Sequence, residues 1–342
     1  MPRYKLTIAY DGTDFCGWQK QEPPDGSETI ADDPAPASTV HRAPYGERTP
    51  QMESIRQGRV ALRTVQGVLE QAVRGVIRQD PRLMGASRTD SGVHAKGQIA
   101  AFTASPKGEP GEDTSGGTAT LPDGTVVRGI GWPVERGTER LVLAINGRLP
   151  DDVRVLAAEV MRDDFDPIGD VESKAYRYTI VRSMQAPLWD RRYVYHVQRR
   201  EPLDIAAMQA AAELLVGKHD FAGFAAAGHG RLTTVRTVLS CAVTREAVDA
   251  GVAATGDAKE EAERVRIDIS GTGFLWNMVR IIAGTLLEVG QHRRELDDVR
   301  EALATGNRRK AGATLGPQGL CLQWIKYRAA DAPKRPPILE GE

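Results

Sequence analysis

The sequence predicts an α+β fold in two halves. Short apolar alternations mark strands along most of the chain, whereas helical periodicity holds in only four segments. The two patterns are interleaved in both halves, as expected for antiparallel sheets covered by helices on one face. At 342 residues the chain can bury a sizeable core without disulfide or metal staples. Apolar residues at 41% and charged residues at 27% exclude a fibrous, collagen-like or wholly disordered protein.

The elements follow in order. Residues 4–10 alternate, with Tyr4, Leu6, Ile8 and Tyr10 on one face of a strand. Asp11-Gly12-Thr13 turns the chain. Val65, Val68, Leu69, Ala72, Val73, Val76 and Ile77 recur at helical spacing behind Thr64, an N-cap residue type. Strands are expected at 99–102 and 153–160. In the second half, 174–182 alternates through Tyr176, Tyr178 and Ile180. Asp204 caps a helix over 205–216 that stops at Gly217. Strands are expected at 235–244 and 265–269. Phe274, Met278, Ile281, Ile282 and Val289 mark a helix ending near Gly290. A helix over 296–304 and a strand over 320–327 complete the pattern. The boundaries expected are 1–162 for the N-terminal half, 163–328 for the C-terminal half and 329–342 for a tail.

With 35 glycines and 20 prolines long loops are expected, with insertions over 22–60 and 104–139. Residues 21–60, 104–139 and 246–263 carry net charges of −3, −3 and −5, against −1 for the whole chain, so the remainder carries +10. A basic body with acidic excursions suits a polyanion partner. Basic groups at Arg191–Arg192, Arg199–Arg200 and Arg308–Arg309–Lys310 read, on charge alone, first as solvated faces and second as candidate phosphate contacts. Three scattered cysteines make neither a disulfide framework nor a zinc site, and the six histidines form no ligand cluster. No P-loop, no strand–GxGxxG–helix unit and no nucleophile elbow is present, so neither a nucleotide cofactor nor a metal is expected. No apolar leader or membrane-length run appears, and a cytoplasmic location is expected.

The densest polar stretch is 85–98, GASRTDSGVHAKGQ. It fits neither helix nor strand patterns and reads as a loop on a scaffold, where reactive groups concentrate. Asp90 lies two residues from Arg88, and a neighbouring guanidinium lowers a carboxylate's pKa and keeps it ionised. An ionised, positioned carboxylate can act as nucleophile or base. On spacing alone an Asx-turn is the leading reading of Asp90, and His94 reads as structural.

This stretch closely resembles the catalytic loop of the TruA-type tRNA pseudouridine synthases, whose hallmark is Arg-Thr-Asp followed by Gly-Val-His. Further segments match in order: the run from Tyr10 through Gln21, Thr64-Val65-Gln66, Asn146 through Pro150, Lys174 through Tyr178, Asp220 through Phe224, Phe274 through Arg280, and Gly319-Leu320. The resemblance covers nearly the whole chain outside the acidic stretches. It implies isomerisation of uridine to pseudouridine in the anticodon stem-loop of tRNA, at positions 38, 39 and 40, without a cofactor. It also implies the pseudouridine synthase fold, a long and mainly antiparallel sheet with a central cleft, and a homodimer that shares one tRNA. Asp90 matches the family's essential aspartate, Arg280 the arginine paired with it, and Tyr176 the tyrosine that stacks on the target base. Arg88 and Lys174 are candidates for holding the RNA backbone, and Tyr178 is left to the core.

The sequence departs from the family in two ways: residues 21–60 and 104–139 are much longer than the family's equivalents, and the segment before Lys174 differs. Phe165 is followed by Asp166-Pro167-Ile168-Gly169-Asp170, where the family carries a basic pair, so the RNA contact made there is not carried over. A synthase for another RNA position and a non-catalytic RNA-binding module are the competing readings. Retention of Asp90, Tyr176 and Arg280 together argues against the module, which has no use for an ionised carboxylate.

Overall fold

The computed structural model describes residues 1–19, 62–104, 119–120, 126–127, 131–226, 233–248 and 262–329. Most of the three acidic stretches, and residues 330–342, lie outside the described residues.

Residue alternation sets the first strand. In β1 (Arg3–Tyr10) every second residue is buried, which places Tyr4, Leu6, Ile8 and Tyr10 on the core side. The helix α1 (Val65–Ile77) starts where Thr64 Oγ1 accepts the N–H of Gly67 at 3.2 Å. It buries Val65, Leu69, Ala72, Val73 and Ile77. Next come β2 (Met84–Gly85), β3 (His94–Thr103), the isolated pair β4 (Ala119–Thr120) and β5 (Val126–Val127), α2 (Thr138–Asn146) and β6 (Val153–Met161). The chain continues through β7 (Val171–Ser183), β8 (Tyr195–Gln198), α3 (Ile205–Leu214), β9 (Gly217–Asp220), β10 (Val235–Val248) and β11 (Ala262–Gly271). It ends with α4 (Met278–Gly290), α5 (Leu296–Thr305) and β12 (Leu320–Tyr327).

Ten strands form one sheet in the order β6-β1-β3-β12-β7-β11-β10-β9, with β2 on β3 and β8 on β7. Pairing is antiparallel except at β12–β3 and β7–β8. The late strand β12 therefore fills the place between β3 and β7 and makes the sheet continuous. Leu69 and Val73 of α1, Met208 of α3 and Ile281 of α4 share one buried cluster with the inward residues of β1 and β7. The helices thus cover one face, as the apolar patterning required. Among the described residues no helix is long and apolar enough to cross a membrane.

The structure corrects the sequence reading at several places. Residues 94–98 belong to strand β3 rather than to a loop, because β3 is buried on both sides over most of its length and shows no alternation. The helix α2 was not expected; it begins at the end of the 104–139 stretch read as loop, and only Leu141 and Ile145 of it are buried. The short strands β8 and β9 were not expected. The helix α4 begins at Met278 rather than Phe274, because Asn277 is left-handed, with φ 60°.

Deep in the second half, Arg182 Nε donates to Glu263 Oε1 at 3.0 Å, and both side chains are buried. Glu263 also accepts the N–H of Leu203 at 2.8 Å. Glu263→Leu would strand the Arg182 charge, and a loss of about 3–5 kcal/mol is expected. Thermal unfolding of the variant checks this; an unchanged melting temperature would mean that Arg200 O, which Arg182 also reaches, suffices.

Candidate active site

Asp90 stands on the turn between β2 and β3, closed by the N–H of Val93 donating to Asp90 O at 3.2 Å. The turn is pinned from below. Thr89 Oγ1 meets Tyr10 Oη at 2.8 Å, Gln98 Nε2 donates to Ser87 O at 2.6 Å, and Trp18 N donates to Thr89 O at 3.0 Å. Ser91 Oγ donates to Phe15 O at 3.1 Å. The segment from Gly12 to Trp18 acts as a brace: on its other side Gly17 O and Trp18 O accept the first N–H groups of α1. Two glycines make this approach possible. A Cβ on Gly12 would lie 1.9 Å from Val93 O, and Gly17 holds φ +97° against the carbonyl of Thr89.

His94 is part of the brace. It is buried, its Nδ1 accepts the N–H of Gly12 at 3.0 Å, and its Nε2 lies 2.8 Å from Arg192 O. The structural reading of His94 therefore fits. Asp11 Oδ2 accepts from Tyr193 Oη at 2.8 Å. Burial pushes the Asp11 carboxyl up, but the contact with the His94 ring and hydrogen bonds from Thr13 and Tyr193 outweigh it and leave the group well below the usual carboxylate range.

The opposite wall comes from residues 274–280. Phe274 packs edge-on against Tyr176, with ring centres 5.4 Å apart. Trp276 Nε1 donates to Asp90 Oδ1 at 3.1 Å. Arg280 Nη1 lies 3.6 Å from Asp90 Oδ2 and donates to Asn277 Oδ1 at 2.8 Å, while its Nε donates to Leu315 O at 2.7 Å. Asp90 and Arg280 are thus brought together from opposite halves of the chain. Tyr176 is 7% exposed, and its hydroxyl meets Ser87 Oγ at 3.0 Å. Burial pushes that phenol up to about 12. Lys174 Nζ donates to the same Ser87 Oγ at 3.2 Å, which sets Lys174 beside Tyr176 on one side of β7.

Asp90 does not titrate as its neighbours suggested from sequence. Burial raises its pKa above the ordinary value, against the opposing pull of Arg280 and the Trp276 N–H. Burial also lowers the Arg280 guanidinium, so desolvation governs both partners of this loose pair. Arg88 is exposed and makes no hydrogen bond or ion pair among the described residues, so it is not the guanidinium that accompanies Asp90.

The candidate phosphate contacts are partly committed elsewhere. Arg192 pairs with Asp14 at 3.3 Å, Arg199 with Glu201 at 3.4 Å, and Lys310 with Asp298 and Glu301 at 3.0 Å each. Arg191 donates to Leu188 O and Arg308 to Ala311 O and Gly312 O. Arg309 remains exposed. The departure at 166–170 also has a local use. Asp166 Oδ1 accepts the N–H of Ile168, and Asp170 Oδ2 accepts from Asp166 N and pairs with Arg162 at 2.5 Å, so these acids hold a tight turn ahead of β7.

A recess of about 420 Å³ opens on the other side of the sheet, lined among others by Asp11, Lys96, Arg177, Thr179 and Cys321. Arg177 and Thr179 alternate along β7 with Tyr176 and Tyr178, so this recess and the Asp90 site occupy opposite faces. Neither Asp90 nor Arg280 lines it, and the chemistry is placed by the side chains rather than by cavity size. Among the described residues no group of His, Cys, Asp and Glu is arranged to hold a metal.

Sequence reasoning missed Trp276, Asn277 and Ser87 as members of the site. Trp276 and Asn277 were treated as part of a helix that in fact starts after them.

Comparison with known proteins gives a consistent result. The tRNA pseudouridine synthase family description matches residues 211–328, which include Arg280 but not Asp90. A protein named tRNA pseudouridine synthase A from Pelobacter propionicus is 35% identical over 328 residues, covering 96% of this chain and 100% of the relative. Another of that name from Solidesulfovibrio magneticus is 36% identical over 330 residues, covering 96% of this chain and 92% of the relative. A third, tRNA pseudouridine synthase A 2 from Clostridium perfringens, is 31% identical over 327 residues, with 96% and 100% covered. These alignments span the Asp90 turn and the 274–280 wall alike, and the chain belongs to the tRNA pseudouridine synthase family.

Proposed function

We propose that the protein isomerises uridine to pseudouridine in tRNA, at positions 38, 39 and 40 of the anticodon stem-loop, with Asp90 as the essential carboxylate. The observation that carries this reading is the half-buried carboxylate of Asp90, held between the Trp276 N–H and the Arg280 guanidinium. In the reaction the N1–C1′ bond breaks, the base turns, C5 bonds to C1′, the C5 hydrogen leaves as a proton, and N1 takes up a proton in its place. No electrons are exchanged with a partner. The carboxylate serves as nucleophile at C1′ or C6, or as the base for the departing proton. Its position opposite a sugar carbon that develops positive charge parallels glycoside hydrolysis.

A stem uridine must be flipped out to reach such a site. We assign Tyr176 to the target base; with its ring nearly closed off by Phe274, stacking requires the Phe274 segment to move aside. Lys174 and the exposed Arg88 are assigned to the displaced backbone. Further parts of the reading are a boundary near 162, a cytoplasmic location with the substrate, and a homodimer sharing one tRNA.

The test is tritium release from tRNA labelled at uridine C5, followed by mapping of the product. Release with pseudouridine at 38–40 supports the reading; release with product elsewhere favours another RNA position. Release from wild type is expected to fall on acidification, because protonating Asp90 removes the active form. Burial raises that carboxyl, so the midpoint is expected above the ordinary aspartate value of about 3.9. A midpoint at or below that value would show that Arg280 and Trp276 outweigh burial once tRNA is bound.

A further inference from the structure

The geometry points to Trp276 as a positioning residue for the reaction: its indole N–H holds Asp90 Oδ1 and so fixes the plane of the carboxylate. This inference rests on the assignment of Asp90 as the reacting group. Arg280 alone does not lock that plane. It stands 3.6 Å from Oδ2, and its Nε and Nη1 are engaged by Leu315 O and Asn277 Oδ1. The shorter contact is the one from Trp276, at 3.1 Å.

The way Trp276 is held argues for a built contact. Trp276 is 46% exposed, yet its indole N–H is directed to the carboxylate. Its carbonyl accepts the N–H of Ala226 at 3.2 Å. The next residue, Asn277, adopts φ 60°, a conformation that non-glycine residues rarely take, and its side chain is committed to Arg280. That left-handed residue lets Trp276 and Arg280 reach Asp90 from either side of the start of α4. One short unit thereby grips both oxygens.

The chemistry of the donor matters. A neutral N–H stabilises the anion without neutralising it. The titratable groups facing Asp90 are Arg280 from α4 and Tyr176 from β7; Arg88, in its own loop, is exposed.

The experiment replaces Trp276 in the full chain with benzothienylalanine, which keeps the ring shape and exchanges N–H for sulfur. Steady-state tritium release from C5-labelled tRNA is measured across pH. An approximately ten-fold loss of kcat at neutral pH is expected, equivalent to about 1.4 kcal/mol, with KM changed by less than about two-fold. The acid limb is expected to move to higher pH, because the anion loses a donor. Wild-type kcat with an unmoved limb overturns the inference. Trp276→Phe is the second variant: if it raises KM while the benzothienylalanine protein behaves as wild type, the ring acts as a stacking surface and the positioning role is wrong. Asp90→Ala, assayed alongside, separates the two readings. Activity in Asp90→Ala overturns the assignment of Asp90 itself, whereas an inactive Asp90→Ala beside a wild-type-like position-276 variant overturns only the role of Trp276.

Discussion

Asp90→Ala is expected to lower C5-tritium release by roughly 10³–10⁶-fold, the range seen when a reacting group is removed from an enzyme. Binding of tRNA should change little. The turn that carries Asp90 is held by Tyr10, Trp18 and Gln98 through Ser87, Thr89 and their backbone, none of which needs the carboxylate. RNA affinity comes mainly from backbone contacts spread over a wide surface. Filter binding at fixed salt, next to the release assay, separates the two effects. Asp90→Asn is the sharper variant, since it keeps the shape and one acceptor oxygen for the Trp276 N–H while removing the charge. Full activity in Asp90→Asn would show that the carboxylate does not react.

Gly12→Ala is expected to destabilise the fold and the site together. The added methyl would lie 1.9 Å from the carbonyl oxygen of Val93, a backbone atom that no rotamer change can move. Separating the two segments would also break the hydrogen bond from Gly12 N to His94 Nδ1 and loosen the brace beneath Asp90. A cost of about 3 kcal/mol or more is expected. For a chain of this size that lowers the melting temperature by several degrees, at about 2–4 °C per kcal/mol. Activity should fall with it, because Asp90 is placed by the same brace. A melting temperature within about 1 °C of wild type would mean that the brace slides without cost.

What the sequence made legible follows from how each element is buried. In β1 and α1, one side faces the core and the other faces water, so the period is printed in the residue types. Thr64 announced its helix because an N-cap needs a side-chain acceptor at that place. The start of β3 was hidden for the opposite reason: a strand covered on both sides has no period to display. In α2 only two residues are buried and Leu143 points outward, too weak a pattern to separate from the loop before it. The site itself was out of reach of periodicity. Trp276 and Asp90 lie 186 residues apart, and no local spacing connects them. Family resemblance supplied Asp90, Arg280 and Tyr176. It supplied no role for Trp276, whose function depends on the left-handed turn at Asn277. The direction of the Asp90 shift was also misjudged, because burial is a property of the packed chain and cannot be counted from charged neighbours.

The insertion of β12 between β3 and β7 sets the order in which a working enzyme can emerge from the ribosome. Both neighbours are made long before their partner, and each waits with an open edge that could recruit a foreign strand. At roughly 5–20 residues per second, the interval between completing β7 and completing β12 lasts about 7–30 s. Until then Asp90 and Arg280 belong to pieces that no strand has joined, so a nascent chain holds the chemical groups without the enzyme. Such long-range pairing is slow to form, and cells have reason to shield the β3 and β7 edges during synthesis.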